Sequence, residues 1–134
     1  MTEEMKAMLT AETYAVVGAS RNLEKYGFLV YQALKAAGER AYPVNPSAGD
    51  VDGDRCYPSL ADVPQTPDVA VMIVPPSVTE AAVAECARLG IQQVWMQPGA
   101  ESPAALAACG ASGIAVVSGG PCIMVLLKTL RYQT

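Results

Sequence analysis

Histidine is absent from the 134-residue sequence. Catalytic arrangements that need a histidine base or a phosphohistidine, including Ser-His-Asp and Cys-His sites, are therefore excluded. The four cysteines, Cys56, Cys86, Cys109 and Cys122, contain no C-x-x-C pair, so the ligand spacing of a zinc site is also missing. We predict no metal site, and these patterns single out no catalytic residue.

Positive charge is also scarce. Nine basic and 13 acidic residues give a net charge of −4, which argues against a nucleic-acid or anionic-membrane surface. No apolar run reaches the roughly 18 residues that a bilayer span needs. The N-terminus carries Glu3 and Glu4 where a secretory signal would carry basic residues. We therefore expect a cytoplasmic protein that binds neither nucleic acid nor membrane.

Hydrophobic residues, in contrast, make up 51% of the chain, and a chain of this length fits one domain, which we expect over residues 1–134. Short apolar runs alternate with helical patterns. Strands are predicted at residues 14–17, 41–44, 69–74, 91–97 and 114–117, with residues 55–57 as a very short edge strand. This alternation predicts an α/β fold with a three-layer, doubly wound parallel sheet. The expected strand order is 3-2-1-4-5-6, in which the third strand is the short one.

The end of the first predicted strand is the most informative stretch. Residues 14–17 are apolar, Gly18 ends the run, and a helical pattern begins near Phe28. A strand, a turn of small residues and a helix expose backbone N–H groups that favour phosphate. Arg21 and Lys25 add positive charge at the same place. The turn matches neither G-x-G-x-x-G nor the Walker pattern, so a plain strand-to-helix connection remains the alternative.

Further candidate residues follow the other central strands. Ligands of doubly wound sheets bind beyond the carboxyl ends of the strands, at the point where the strand order reverses. Asn45-Pro46, Pro75-Pro76 and Gln97 are predicted to meet the first turn there. An NAD site would place an acidic residue after the second strand, whereas Val44, Asn45 and Pro46 stand in this chain. This difference counts against NAD.

Several segments together carry a family resemblance. They are AVVGAS at residues 15–20, Lys25 with Gly27, YPVNP at residues 42–46, YPSLADVP at residues 57–64 and VWMQPGA at residues 94–100. In these segments the chain resembles the small stand-alone coenzyme A-binding proteins, which are similar to the N-terminal domain of the succinyl-CoA synthetase alpha subunit. The resemblance implies a Rossmann-like fold and bound coenzyme A (CoA) or acyl-CoA.

The resemblance also implies roles for individual residues. The phosphates would meet the first turn, at Gly18, Ala19, Ser20, Arg21 and Lys25. The adenosine end would be bordered by Val44, Asn45 and Pro46. The nucleotide or the pantetheine arm would lie against Val74, Pro75 and Pro76. Gln97 is a candidate contact because it falls at the carboxyl end of its strand.

Three functions remain open. The first is a non-catalytic CoA carrier, sensor or regulatory module, with a possible homodimer or protein partner. The second is an enzyme, acting on acyl-CoA through Cys122 or on a nicotinamide cofactor. Cys122 follows a glycine-rich turn near a predicted helix N-terminus, a position that can make a thiol reactive, although a small capping residue is the alternative. The third is an interaction domain with an empty turn. The phosphohistidine chemistry of the synthetase cannot be inherited, because the chain has no histidine.

Overall fold

The structure is a computed structural model that describes residues 1–132, with side chains described up to residue 130. Five parallel strands form its main sheet: β1 (Thr13–Val17), β2 (Arg40–Val44), β5 (Val69–Met72), β6 (Gln93–Met96) and β7 (Ala115–Val117). A separate antiparallel hairpin consists of β3 (Asp50–Val51) and β4 (Asp54–Arg55). The helices are α1 (Glu3–Leu9), α2 (Tyr26–Ala36), α3 (Pro76–Leu89), α4 (Pro103–Ala111) and α5 (Ile123–Tyr132). A single 3₁₀ turn spans Leu60–Asp62.

The strand order is β2-β1-β5-β6-β7, and every neighbouring pair is parallel. In the numbering of the predicted strands this order reads 2-1-4-5-6, so the doubly wound parallel sheet and its reversal point are confirmed. The reversal point lies between β1 and β5. Every residue of these two strands is buried. Both strands read as unbroken apolar runs because helices cover the two faces of the sheet.

The predicted third strand, residues 55–57, is wrong as a strand of this sheet. Arg55 pairs with Asp50 in the hairpin instead, and Tyr57 forms a single parallel bridge to Val44. In that bridge the Tyr57 amide donates to the Pro43 carbonyl at 2.9 Å, so Pro43 faces the open edge of β2. Proline has no N–H to donate on that side, and the ladder cannot extend past it.

Side chains of alternate strand residues point to opposite faces of the sheet and form two hydrophobic layers. One layer packs Tyr14, Val16 and Trp95 against α1, α2 and α5. The opposite layer packs Ala15, Val17 and the remaining central positions against α3 and α4. This arrangement is the three-layer α/β architecture that the alternating pattern predicts.

The β3–β4 hairpin is attached to α2 by a polar cluster. Lys35 Nζ lies 2.6 Å from a carboxylate oxygen of Asp54 and 3.0 Å from one of Asp52. The Tyr31 hydroxyl donates to Asp54 at 2.6 Å. Hydrogen bonds from Lys35, and then from Tyr31, lower the pKa of the Asp54 carboxyl. The turn itself contains Asp52 and Gly53, both with positive φ, as a tight two-residue hairpin requires.

In the variant Asp54→Asn, the free energy of unfolding is expected to depend less on pH in the acid range than it does in the wild type. A carboxyl with a lowered folded-state pKa stabilises the fold above its unfolded pKa of about 4, and this contribution is lost as pH falls through the folded value. Because the Lys35 and Asp54 side chains are 37% and 43% exposed, solvent screening keeps the effect below about 1 kcal/mol. Urea unfolding between about pH 2.5 and 7 measures it. A gap between wild type and variant that stays constant down to the lowest pH would contradict the ionic origin.

Candidate ligand-binding site

The turn after β1 depends on a close approach of two backbones at Gly18. Gly18 has φ +98°, and a Cβ atom added there would lie 2.7 Å from the Ile73 carbonyl oxygen and 2.8 Å from Val74 Cγ1. Glycine allows both the backbone conformation and the contact. The connection from β5 to α3 therefore lies directly against the turn at the reversal point of the sheet.

A second glycine brings the start of α2 onto the same turn. A Cβ atom added at Gly27 would lie only 2.0 Å from the Gly18 carbonyl oxygen. This contact holds the first turn of α2 against the end of β1. Glycine has the same role in nucleotide-binding folds, where it allows a helix to pack closely against a strand.

The resulting loop leaves several backbone donors available. Within the described chain, the amides of Arg21, Tyr26 and Gly27 donate to no protein acceptor, and Lys25 at the N-cap of α2 supplies no side-chain cap. Arg21 and Lys25 are both exposed. Free amides at the N-terminus of an 11-residue helix, together with two cations, favour an anionic group such as phosphate.

The interior of the loop is held by its own side chains. The Asn22 amide donates to Ser20 Oγ at 3.1 Å, and the Glu24 amide donates to Asn22 Oδ1 at 3.0 Å. Asn45 follows β2, and its Nδ2 donates to the Ala19 carbonyl in the loop after β1 at 2.8 Å. These bonds fix the loop relative to both strands before any ligand binds.

Two cavities meet at this turn. The narrow cleft, of about 360 Å³, is lined mainly by apolar groups, which belong to Tyr26, Ile73, Val74, Pro75, Gln97, Pro98, Gly99, Ala100 and Cys122. The wide groove, of about 640 Å³, lies between the ends of β1 and β2, residues 58–60 and one face of α3. Val74 lines both cavities, so they adjoin beside its contact with Gly18.

The structure brings most of the predicted site residues to these cavities. Gly18, Val44, Asn45, Pro46 and Val74 line the wide groove. Val74, Pro75 and Gln97 line the narrow cleft.

The remaining predicted residues lie beside the cavities. Ser20, Arg21 and Lys25 belong to the turn. Ala19 is fully buried, its amide donates to the Val16 carbonyl and its carbonyl accepts from Asn45, so it is closed to direct contact with a ligand. Pro76 is the exposed first residue of α3 and lines neither cavity.

The Gln97 side chain makes its hydrogen bonds within the protein. Its side chain is buried, with 5% of the residue exposed. Gln97 Oε1 accepts from the Ile123 amide at 2.8 Å, and Nε2 donates to Cys122 Sγ at 3.4 Å. Gln97 thus caps α5 and positions Cys122 on the cleft wall, a role that its place at the end of β6 did not reveal.

The other three cysteines, Cys56, Cys86 and Cys109, are buried. Burial raises the pKa of Cys86 to about 12 and also raises the pKa values of Cys56 and Cys109. These thiols therefore stay protonated and inert.

Sequence reasoning missed several residues that border the site, and Tyr26 and Arg88 are two of them. Tyr26 is 66% exposed at the start of α2 and forms one wall of the narrow cleft. Its position directly before Gly27 was an available signal. Arg88 lies near the end of α3 and lines the wide groove. Only packing of α3 beside the 3₁₀ turn brings Arg88 there, so no local pattern marks it.

Between residues 1 and 132, none of the helices combines the length and hydropathy of a membrane span. The same part of the chain contains no group of three or more cysteine, aspartate or glutamate residues placed to hold a metal ion.

Comparisons with known proteins extend over the whole site. A family described as "CoA binding domain" matches residues 12–128, which include every residue that lines the two cavities. The chain is 37% identical over 91 residues to acetate–CoA ligase (ADP-forming) II of Archaeoglobus fulgidus, a match that covers 66% of this chain and 14% of that enzyme. A second such ligase, from Methanocaldococcus jannaschii, is 33% identical over 89 residues, with 13% of the enzyme covered. The chain thus spans only a small part of the length of these relatives.

Solved structures of similar size match nearly the full chain. A hypothetical protein from Pyrococcus horikoshii OT3 has a TM-score of 0.92 and 30% identity, with 98% of this chain and 93% of that chain covered. A protein from Thermus thermophilus has a TM-score of 0.88 and 33% identity, with 97% and 99% covered.

Proposed function

The chain belongs to the CoA binding domain family, and from this membership we propose that it binds coenzyme A or an acyl-CoA across both cavities. In this proposal the diphosphate lies on the Gly18–Gly27 turn. The adenosine occupies the wide groove, and the pantetheine arm enters the narrow cleft. CoA combines a nucleotide, phosphates and a long, largely apolar arm, which correspond to the three parts of the site.

The single observation that carries the proposal is the contact between Gly18 and Gly27. It holds the start of α2, with the free amides of Tyr26 and Gly27, against the end of β1, where Gly18 lines the wide groove and Tyr26 lines the narrow cleft. A diphosphate placed there would have a cavity on either side, one for each of its substituents. Arg21 and Lys25 would neutralise part of its charge.

We further propose that the chain is a non-catalytic carrier, sensor or regulatory module. Among the described residues that line the narrow cleft, no carboxylate or other general base accompanies Cys122, and Gln97 contacts its sulfur as an amide. The similar ligases carry out their reaction in proteins of which the match covers 14% or less, so their activity is not carried over.

Cys122 supports one alternative, an enzyme that acts on acyl-CoA. Its thiol lines the narrow cleft, and the Gln97 side chain donates to it. In this alternative, Cys122→Ser would abolish turnover of an acyl-CoA and leave CoA binding intact. Absence of turnover from both proteins would favour the non-catalytic proposal, and equal turnover in both would mean that Cys122 is not the catalytic group.

Removal of both cations at the turn is expected to weaken CoA binding about tenfold, or about 1.4 kcal/mol. The double variant Arg21→Ala/Lys25→Ala tests this by calorimetry on ligand-stripped protein. The ligands are CoA, 3′-dephospho-CoA, 3′,5′-ADP, NAD and ATP, all at one salt concentration because the charge effect is screened by salt.

A matched control removes two cations elsewhere. Lys6 on α1 and Arg55 on the hairpin are both exposed, and neither lines the proposed cavities, so Lys6→Ala/Arg55→Ala should bind CoA as wild type does. Equal weakening in both double variants would show that net charge, and not the turn, controls affinity. A preference for NAD, or no CoA binding by the wild type, would overturn the proposed ligand.

A further inference from the structure

An acidic residue of the β3–β4 hairpin lies beside the proposed phosphate turn. Asp50 Oδ1 is 3.9 Å from Arg21 Nη2, and the two side chains are 55% and 68% exposed. In the described part of the chain, Lys25 has no ion-pair partner, although it lies on the same turn. Arg21 therefore differs from Lys25 in having an internal counter-ion.

The hairpin that carries Asp50 is firmly attached. Val51, the next residue, is fully buried in the core. The base of the hairpin is closed by a bond from the Cys56 amide to the Gly49 carbonyl at 3.1 Å. Lys35 binds the hairpin through Asp52 in its turn and Asp54 in β4. Asp50 is thus presented to Arg21 by a fixed element, and only its side chain is free to move away.

A phosphate and the Asp50 carboxylate would compete for the same guanidinium group. Arginine binds either anion through hydrogen bonds from its planar fork. The contact at 3.9 Å, between exposed side chains, is a weak ion pair. A phosphate that also receives backbone amides and the α2 N-terminus makes stronger combined contacts.

We propose that Asp50 holds Arg21 in the unliganded protein and is displaced when a phosphate of the ligand binds. The inference rests on the proposed function, because it names the regulation of that same site. Its consequence is selectivity. A ligand without a phosphate at this position gains nothing from Arg21, because the guanidinium stays with Asp50. A phosphate replaces Asp50 as the partner of Arg21 and binds more strongly, because the backbone amides also donate to it.

The variant Asp50→Asn tests the inference by calorimetry with CoA. Loss of the competing carboxylate should tighten binding about 2- to 5-fold at about 50 mM salt, the range expected for one exposed ion pair. The gain should shrink at about 500 mM salt, where exposed charges are screened. In the Arg21→Ala background the gain should fall to the level that loss of any one exposed negative charge near the turn produces, because the competition for the guanidinium is gone.

Glu24→Gln is the matched control, since it removes one exposed negative charge from the same loop without contacting Arg21. Its effect on CoA affinity should be smaller than that of Asp50→Asn and equal in both Arg21 backgrounds. Weaker or unchanged binding by Asp50→Asn, or a gain that stays undiminished without Arg21, would overturn the inference while the proposed function stands. No CoA binding by the wild type would overturn both.

Discussion

Gly27→Ala is expected to weaken CoA binding at least about 100-fold and to lower the free energy of unfolding by about 2–3 kcal/mol. The added methyl group would lie 2.0 Å from the Gly18 carbonyl oxygen. Since that oxygen is backbone, no side-chain rotation relieves the clash. The start of α2 must move away from β1, and the free amides of Tyr26 and Gly27 move with it.

Gly110→Ala provides the opposite control. Gly110 lies within α4, and a Cβ atom added there would meet nothing within 4 Å. Alanine should stabilise this helix by about 0.5–1 kcal/mol and leave CoA binding unchanged. Urea unfolding and calorimetry measure both variants. A Gly27→Ala protein with wild-type affinity would show that the proposed phosphate turn does not bind the ligand.

The general architecture could be predicted because local patterns determine it. The buried strands β1 and β5 read as unbroken apolar runs, and helical patterns separate the strands. The β3–β4 hairpin was missed because two-residue strands carry almost no periodicity. Its turn signal, Asp52-Gly53, lies between the predicted strands at residues 41–44 and 55–57, in a segment without a predicted element. The sequence also placed a strand at residues 55–57, but Pro43 on the open edge of β2 limits it to one bridge.

The candidate site could be predicted at the level of strand ends. Parallel strands bring their carboxyl ends to one edge, so Gly18, Asn45 and Gln97 were placed near one another by topology alone. The direction of each side chain could not be predicted in this way. Gln97 lines the narrow cleft, but its Oε1 accepts from the start of α5, and Asn45 donates to the Ala19 carbonyl.

Contacts between distant segments were beyond local reasoning altogether. Asp50 meets Arg21 only because the hairpin folds back over α2, and Arg88 reaches the wide groove only through packing of α3. Such pairs are set by tertiary structure, and a single sequence contains no periodic signal for them.

Trp95→Ala is expected to destabilise the protein by about 3–5 kcal/mol, because it removes the largest fully buried side chain in the described core. Trp95 lies in β6, and its Nε1 also donates to the Pro121 carbonyl at 3.3 Å. That bond attaches the segment before α5, which carries Cys122 on the wall of the narrow cleft. The core and the cleft therefore share one side chain.

Trp95→Phe separates these two roles, since it keeps an aromatic ring in the core but loses the N–H donor. We expect a smaller loss of stability, about 1–3 kcal/mol, and several-fold weaker binding of CoA with unchanged binding of 3′,5′-ADP, which has no pantetheine arm. Val69→Ala, at the opposite end of the sheet, is a control that loses about 2 kcal/mol without contacting the cavities. Equal weakening for CoA and 3′,5′-ADP would contradict the assignment of the pantetheine arm to the narrow cleft. Weakening for CoA alone would mean that the Pro121–Cys122 wall contacts that arm.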